Sequence, residues 1–347
     1  MNNVVHLKDD KFWSLLRRIK IDDAWRSSIY SECKLAYYRQ RPLDENKKIS
    51  DASFVLNWEQ EPAAIFFGAV VELNKMSELV FYEAPCILIE KKFGLTTRAK
   101  KKFLCEFDKI LDQANGNVWY RDYFINGNAS FLTNYLLKKG AVATPVFSKV
   151  IDLCLDEASL WKGIRKSYSS LVNNGLKEMS PKILTNDNIT QQHMEKFREL
   201  HRCVSGRETR SIESWQRQFE SIQNNEAFVV FGDLDGDLVT AGYFSYSEMN
   251  CIYGSSASRR DMFHKPLFHS IMWTAILHAK KIGCKWFEVG EQNFKNHPSD
   301  NPPTKKNINI SGFKAGFGGN SKFYLDIKIG ADNINHTNRV DTLVINN

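Results

Sequence analysis

One lysine, Lys314, stands between two aromatics and beside three glycines in the run Phe313-Lys314-Ala315-Gly316-Phe317-Gly318-Gly319. An ammonium held between phenyl rings loses part of its water, and glycines let backbone N–H groups come close to a ligand. Such a place suits a phosphate or a developing oxyanion. The same residues also spell a hairpin-like turn with a solvated lysine, so Lys314, Phe313, Gly316 and Gly318 are candidates whose context must decide.

Two carboxylates follow from Phe287-Glu288-Val289-Gly290-Glu291, which closes a strand-like stretch. Either Glu288 or Glu291, set near a strand terminus, could take a proton from an amine. Tyr253 ends another strand-like run, and the chain then passes Arg259, Arg260 and His264 into a helix begun by Pro266. The free N–H groups of that helix start would receive a phosphate or a thioester-side group; a polar loop is the alternative. Arg207 and Arg210 lie between two predicted helices as a bidentate phosphate clamp or as solvated arginines. His336 and Asp341 have the H-x-x-x-x-D spacing of some lipid acyltransferases but fall in a tail expected to fray. Gly316 to Lys322 lacks the Gly-Lys-Ser/Thr ending of a P-loop, and neither G-x-S-x-G nor H-E-x-x-H occurs.

Periodicity supplies the elements that must hold these residues. Residues 11–19 read as a short amphipathic helix, and 54–58, 63–73 and 78–89 as strands. Phe103, Leu104, Phe107, Ile110 and Leu111 predict a helix over 98–114, followed by strand 117–121, helix 129–139 and strand 142–153. One helix is expected over 157–178, then strand 181–185, helix 190–202 and a Ser211-capped helix 212–223. Strands 227–232, 237–247 and 249–256 form a meander with Asp235-Gly236 as a hairpin turn. A helix from Pro266 to Ile282, ended by Gly283, leads to strand 285–289. Leu136–Gly140 matches Ala279–Gly283, and Ala64–Gly68 matches Phe228–Gly232, which reads as a diverged internal duplication of an α+β unit.

Bulk properties agree. A chain of 347 residues exceeds what one core usually serves, and 43% apolar residues suffice for two. The net charge of +7 favours an anionic partner, but the basic clusters (Arg98 with Lys100–Lys102, Arg165-Lys166, Lys305-Lys306) are short and unlike a DNA-binding tail. Seven scattered cysteines with no C-x-x-C argue against a disulfide framework and against zinc, so no metal is expected. Charged residues from Asp9 to Arg18 break any secretory apolar core. The longest apolar runs are too short to span a membrane. A cytoplasmic protein is expected, with peripheral membrane contact left open.

The ordered series Ile164-Arg165-Lys166-Ser167-Tyr168, Tyr253-Gly254-Ser255-Ser256-Ala257, Pro266 to Trp273, Gly283 to Gly290, and Phe313-Lys314-Ala315-Gly316-Phe317 resembles the Fem-type (FemAB-like) aminoacyltransferases and their tandem GNAT-like relatives. The resemblance is clearest from about 160 to 325. It implies two tandem GNAT-like domains, each a mixed β-sheet flanked by helices, placed at 1–155 and 156–330 with a loose tail at 331–347. It also implies direct transfer of an aminoacyl or acyl group onto an amine of a cell-envelope precursor, either a peptidoglycan intermediate or an amino sugar, without a covalent enzyme intermediate. No tightly bound cofactor is implied. The co-substrate would be aminoacyl-tRNA or acyl-CoA, and the partner a phosphorylated or nucleotide-linked precursor, not DNA.

In that family the lysine of the F-K-x-G-F motif contacts phosphate or supports the transition state, a role that falls here on Lys314 with Phe313 beside it. Tyr253 would donate a proton or position the acceptor, with Glu288 or Glu291 as base. Arg165, Arg207, Arg210, Arg259, Arg260, His264, Gly316 and Gly318 would bind substrate. Two departures stand out. The Q/R-x-x-G-x-G/A loop that cradles the coenzyme A pyrophosphate is replaced by Arg259 to His264, and no long heptad insertion forms a helical arm. Rival readings are a non-catalytic module binding a phosphorylated sugar or lipid, and an RNA-binding protein.

Overall fold

The alternation of Phe228, Val229, Val230 and Phe231 shows how the second half of the chain is built. Phe228 and Val230 join one buried cluster, whereas Val229 and Phe231 join another, as successive side chains of a strand must when both faces are covered. The computed structural model describes residues 3–18, 31–40, 47–74, 76–81, 87–88, 97–124, 128–296 and 302–330. The expected tail from 331, with His336 and Asp341, and residues 82–86 and 89 of the expected 78–89 strand lie outside them.

The described elements begin with β1 (Asn3–His6), α1 (Lys11–Arg18), α2 (Glu32–Gln40), β2 (Lys48–Asp51), β3 (Phe54–Trp58), β4 (Glu61–Phe66), β5 (Gly68–Leu73), β6 (Met76–Phe81) and β7 (Ile87–Leu88). Next come α3 (Thr97–Gln113), β8 (Val118–Asp122), α4 (Phe131–Lys138), β9 (Val142–Asp152), α5 (Glu157–Gly163), α6 (Lys166–Met179) and β10 (Lys182–Leu184). Then follow α7 (Gln191–Ser205), α8 (Ile212–Gln223), β11 (Ala227–Leu234), β12 (Asp237–Tyr246), β13 (Asn250–Ser258), α9 (Leu267–Lys281), β14 (Trp286–Gln292), α10 (Lys305–Ala315) and β15 (Asn320–Ile329).

Two units form, and their boundaries differ from the expected cut at 155. The first takes the described residues up to 18, those from 47 to 145 and 324–330; the second takes 31–40 and the described residues from 146 to 323. The reason lies in packing. Helix α2 belongs with α8, where the Arg217 Nε donates to the Gln40 side chain at 2.9 Å, while residues 325–329 of β15 pair with β8.

In the first unit, Phe103, Phe107, Ile110 and Leu111 of α3 are buried with Phe54, Phe66 and Val118. Each fully buried phenylalanine contributes about 1.5–3 kcal/mol. The expected 63–73 strand is interrupted at Phe67, since β4 pairs with β3 and β5 pairs with β6 in a different sheet. Gly68 makes the crossing possible: a Cβ there would lie 2.7 Å from the Val80 carbonyl.

The second unit has strand order β10-β11-β12-β13-β14-β9, with residues 147–152 of β9 on β14. Val172 of α6 and Ile271, Met272, Ala275 and Ala279 of α9 cover one face; Phe197 of α7 and Trp215 of α8 cover the other. The Asp235-Gly236 turn has both residues at positive φ, 53° and 90°, as a tight hairpin requires.

Both units repeat a strand, helix, parallel-strand crossover. Helix α3 joins parallel β6 and β8 as α9 joins parallel β13 and β14. The topological partner of α9 is therefore α3, and the sequence match of Leu136–Gly140 with Ala279–Gly283 pairs the wrong helices. The two segments share only a helix end followed by a glycine at φ 92° and 97°. Among the described residues no helix is long and apolar enough to cross a membrane.

Candidate active site

β13 and β14 run in parallel register for only three residues, Asn250–Ile252 against Trp286–Glu288. Beyond that point β13 stays on β12 as far as Ser258 and β14 stays on β9 as far as Gln292. Each strand carries a bulge where they part. Gly254 is the extra residue between Tyr253 and Ser255, and Val289 the extra residue between Glu288 and Gly290. A bulge bends its strand and re-aims the side chains after it. The strands so open a gap at their C-terminal ends, with Tyr253 on one bank and Gly290 and Glu291 on the other.

Lys314 reaches into this gap. It lies in the last turn of α10 and not in a hairpin turn. Its Nζ is 5.6 Å from the centre of the Tyr253 ring. A Cβ built on Gly290 would come within 2.9 Å of that nitrogen, and Gly290 has φ +111°, so glycine serves there both for its backbone and for the space it leaves. Burial pulls the ammonium below the usual lysine range, while Glu291 and then Glu288 act to raise it. Glu288 is buried, and its Oε1 accepts a hydrogen bond from the Ser148 hydroxyl at 2.9 Å. Glu291 is half-buried. The Tyr253 hydroxyl pairs with that of Ser256 at 2.5 Å, and burial pushes its pKa up to about 12, so it stays a phenol.

Phe313 packs among aromatics. Its ring centre lies 5.1 Å from His269, 5.2 Å from Phe317 and 6.0 Å from Tyr168. His269 is desolvated there, which lowers its pKa to about 4 and keeps it neutral. Tyr168, Ser256 and His269 enter the sequence reading only inside the runs that carry the resemblance, and Ser148 only inside the expected 142–153 strand.

Gly316 and Gly318 do not open the backbone to a ligand. Their N–H groups donate to the Phe313 and Ala315 carbonyls. A Cβ on Gly316 would lie 2.2 Å from Cε2 of Tyr168, and one on Gly318 would lie 2.6 Å from the Gly163 carbonyl. Close packing requires glycine at both, and Gly318 also has φ +87°. Arg165 uses its Nη2 on the Gly312 carbonyl of α10 at 3.0 Å.

Arg210 is also corrected. It is 3% exposed, with Nη1 3.3 Å from the Tyr37 hydroxyl, Nη2 3.4 Å from His201 Nε2, and its guanidinium 4.6 Å from the centre of the Trp215 ring. So placed it organises the α2–α7–α8 side of the sheet and makes no clamp with Arg207, which is exposed. Arg259 is paired with Asp261 at 2.5 Å, and Arg260 and His264 are exposed beside the start of α9.

The site thus brings together Lys314, Tyr253, Glu288 and Glu291 from three elements of one unit. No protein-family model matches the sequence, and no curated protein does so either. The fold is the tandem GNAT fold in its Fem-like form, as solved structures show. FemX superposes with a TM-score of 0.59 at 10% identity, over 84% of this chain and 94% of its own. The C-terminal domain (DUF2156) of a putative lysylphosphatidylglycerol synthetase from Agrobacterium fabrum gives 0.57 at 11% identity, over 95% of both chains. A tandem GNAT protein from the clavulanic acid biosynthesis pathway gives 0.54 at 12%, over 96% of this chain and all of that one, covering 100%.

Proposed function

We propose that the chain is an aminoacyl- or acyltransferase that moves an activated acyl group onto an amine of a cell-envelope precursor, by direct attack. The observation that carries this reading is the desolvated Lys314 ammonium in the gap between β13 and β14, influenced by Glu288 and Glu291 and facing Tyr253. The amine nitrogen attacks the carbonyl carbon, a C–N bond forms, and an electron pair moves to the carbonyl oxygen. Lys314 stabilises that oxyanion in a site with little water, where one such donor is worth about 10²-fold or more in rate. Glu291 or Glu288 takes the proton from nitrogen. As the oxyanion collapses, the bond to the donor breaks, and Tyr253, held as a phenol, supplies a proton to the leaving group or orients the acceptor.

Aminoacyl-tRNA is the favoured donor. What favours it is the chain ahead of α9, which holds an Arg259–Asp261 pair where a glycine-rich pyrophosphate loop would stand. Acyl-CoA is the second reading, from the tandem GNAT likeness. We place the reaction in the cytoplasm, where charged tRNA and nucleotide-linked precursors meet. The test offers radiolabelled aminoacyl-tRNAs, and separately acetyl-CoA, with nucleotide-linked peptidoglycan precursors and amino sugars as acceptors. Label should pass to an amine from one donor. Transfer from neither, with a phosphorylated sugar or lipid still bound, would make the chain a binding module.

A further inference from the structure

The helix that carries Lys314 is short and polar, and it closes in a tight turn in which the Gly316, Phe317 and Gly318 N–H groups donate to the Phe313, Lys314 and Ala315 carbonyls. Three carbonyls of this turn and the helix end also take partners from one other segment. The Arg165 guanidinium donates to the Gly312 carbonyl at 3.0 Å, the Tyr168 hydroxyl donates to the Phe313 carbonyl at 3.2 Å, and the Arg165 backbone N–H donates to the Gly316 carbonyl at 2.7 Å. The expected 157–178 helix is interrupted at this point: Ile164 and Arg165 have ψ of 152° and 133°, which frees the Arg165 N–H to point at Gly316. The break has no proline, and Gly163 at the end of α5 presents its carbonyl to the Gly318 backbone. Arg165 also lies 5.0 Å from the centre of the Tyr168 ring, so the two side chains support each other.

We propose that Arg165 and Tyr168 are positioning residues that lock the last turn of α10 and thereby hold the Lys314 ammonium in the gap between β13 and β14. This inference rests on the role given to Lys314 above, but its test reads the lysine and not the turnover. Facing that ammonium are Glu291 and Glu288 from β14 and the Tyr253 phenol from β13. A loosened turn moves it toward water, which restores the solvation that burial removed.

Tyr168→Phe keeps the ring against Gly316 and deletes one hydrogen bond; Arg165→Ala deletes another, and Arg165→Lys keeps the backbone bond and the charge. The folded proteins are labelled with acetic anhydride across pH 6–11, and the Lys314 peptide is followed by mass spectrometry against Lys305 and Lys306 of the same helix. Both deletions should move the Lys314 midpoint upward with no change at Lys305 or Lys306. Amide exchange at Phe317 and Gly318 should rise about fivefold or more, as loss of a hydrogen bond worth ~1 kcal/mol gives. Arg165→Lys should fall between wild type and Arg165→Ala. An unmoved Lys314 midpoint in folded Tyr168→Phe and Arg165→Ala would overturn the inference and leave the catalytic role of Lys314 standing. A shift at all three lysines alike would overturn it too, as general loosening.

Discussion

Substituting Gly316 by alanine sets two physical effects against each other, and the sign of the result decides between them. Gly316 sits at φ −66° and ψ −18°, ordinary helical backbone that alanine adopts without strain. Judged from the backbone alone, Gly316→Ala stabilises by about 0.5–1 kcal/mol, because alanine loses less chain entropy on folding. The surroundings say otherwise. The new Cβ would lie 2.2 Å from Cε2, 2.4 Å from Cζ and 2.8 Å from the hydroxyl of Tyr168. That ring is buried against His269 and Phe317, with centroid distances of 4.6 and 5.2 Å, so it cannot swing aside freely. Overpacking of this kind costs about 1–3 kcal/mol. The bond from Tyr168 to the Phe313 carbonyl is lost as the ring moves, for roughly another 1 kcal/mol. The net is a destabilisation of about 2 kcal/mol, or a fall in Tm of about 4–8 °C for a unit of this size. Differential scanning calorimetry measures it directly, with Gly312→Ala as control because a Cβ there meets nothing within 4 Å. A Gly316→Ala protein as stable as wild type, or more so, would refute the packing account of the F-K-x-G-F turn.

Lys314→Ala should lower the transfer rate by about 10²-fold while ligand binding persists, and unchanged turnover would remove Lys314 from the chemistry. His269 has a folded pKa near 4 against an ordinary 6.5, so the folded state binds fewer protons between those values and stability is lost as pH falls from 6.5 toward 4. Since the ring keeps some access to solvent, the loss is about 1–2 kcal/mol and not the full product of the shift. Calorimetry at pH 7 and pH 4.5 should show a smaller drop for His269→Gln than for wild type, and equal drops would contradict the burial.

The strongly periodic elements were legible in the sequence. Phe103, Phe107, Ile110 and Leu111 announce α3, and the apolar runs separated by Asp235-Gly236 announce β11 and β12. What the sequence hid was set by contacts between distant residues. Helix α10 has only Ser311 fully buried and so shows no apolar stripe; its single cue is Thr304, whose hydroxyl accepts from the Asn307 N–H at 3.2 Å. The break between α5 and α6 carries no proline because carbonyls of α10, about 150 residues later in the chain, set it. For the same reason Lys314, Tyr253, Glu288 and Glu291 could be picked by type, but Gly316 was misjudged: a glycine that admits a ligand and one that admits a tyrosine ring look alike in sequence.

The charges in the gap also bear on which duty Lys314 performs. Two carboxylates act on the one ammonium, a pairing that suits a protonated amine entering beside it better than a phosphate. That arrangement fits a lysine aimed at a transient oxyanion better than one anchoring the donor's phosphates, and it places a proton acceptor where the incoming amine must lose its charge. Glu291→Gln tests the distinction, because Glu291 is the larger of the two influences that raise the Lys314 pKa. Its removal should lower the Lys314 midpoint in pH-resolved acetylation, strengthen inhibition by inorganic phosphate severalfold, and slow transfer. If Lys314 instead served a phosphate, the same change would speed or leave unaltered the reaction while tightening donor binding. A slower enzyme with tighter phosphate inhibition is therefore the result that places the lysine at the reacting carbonyl.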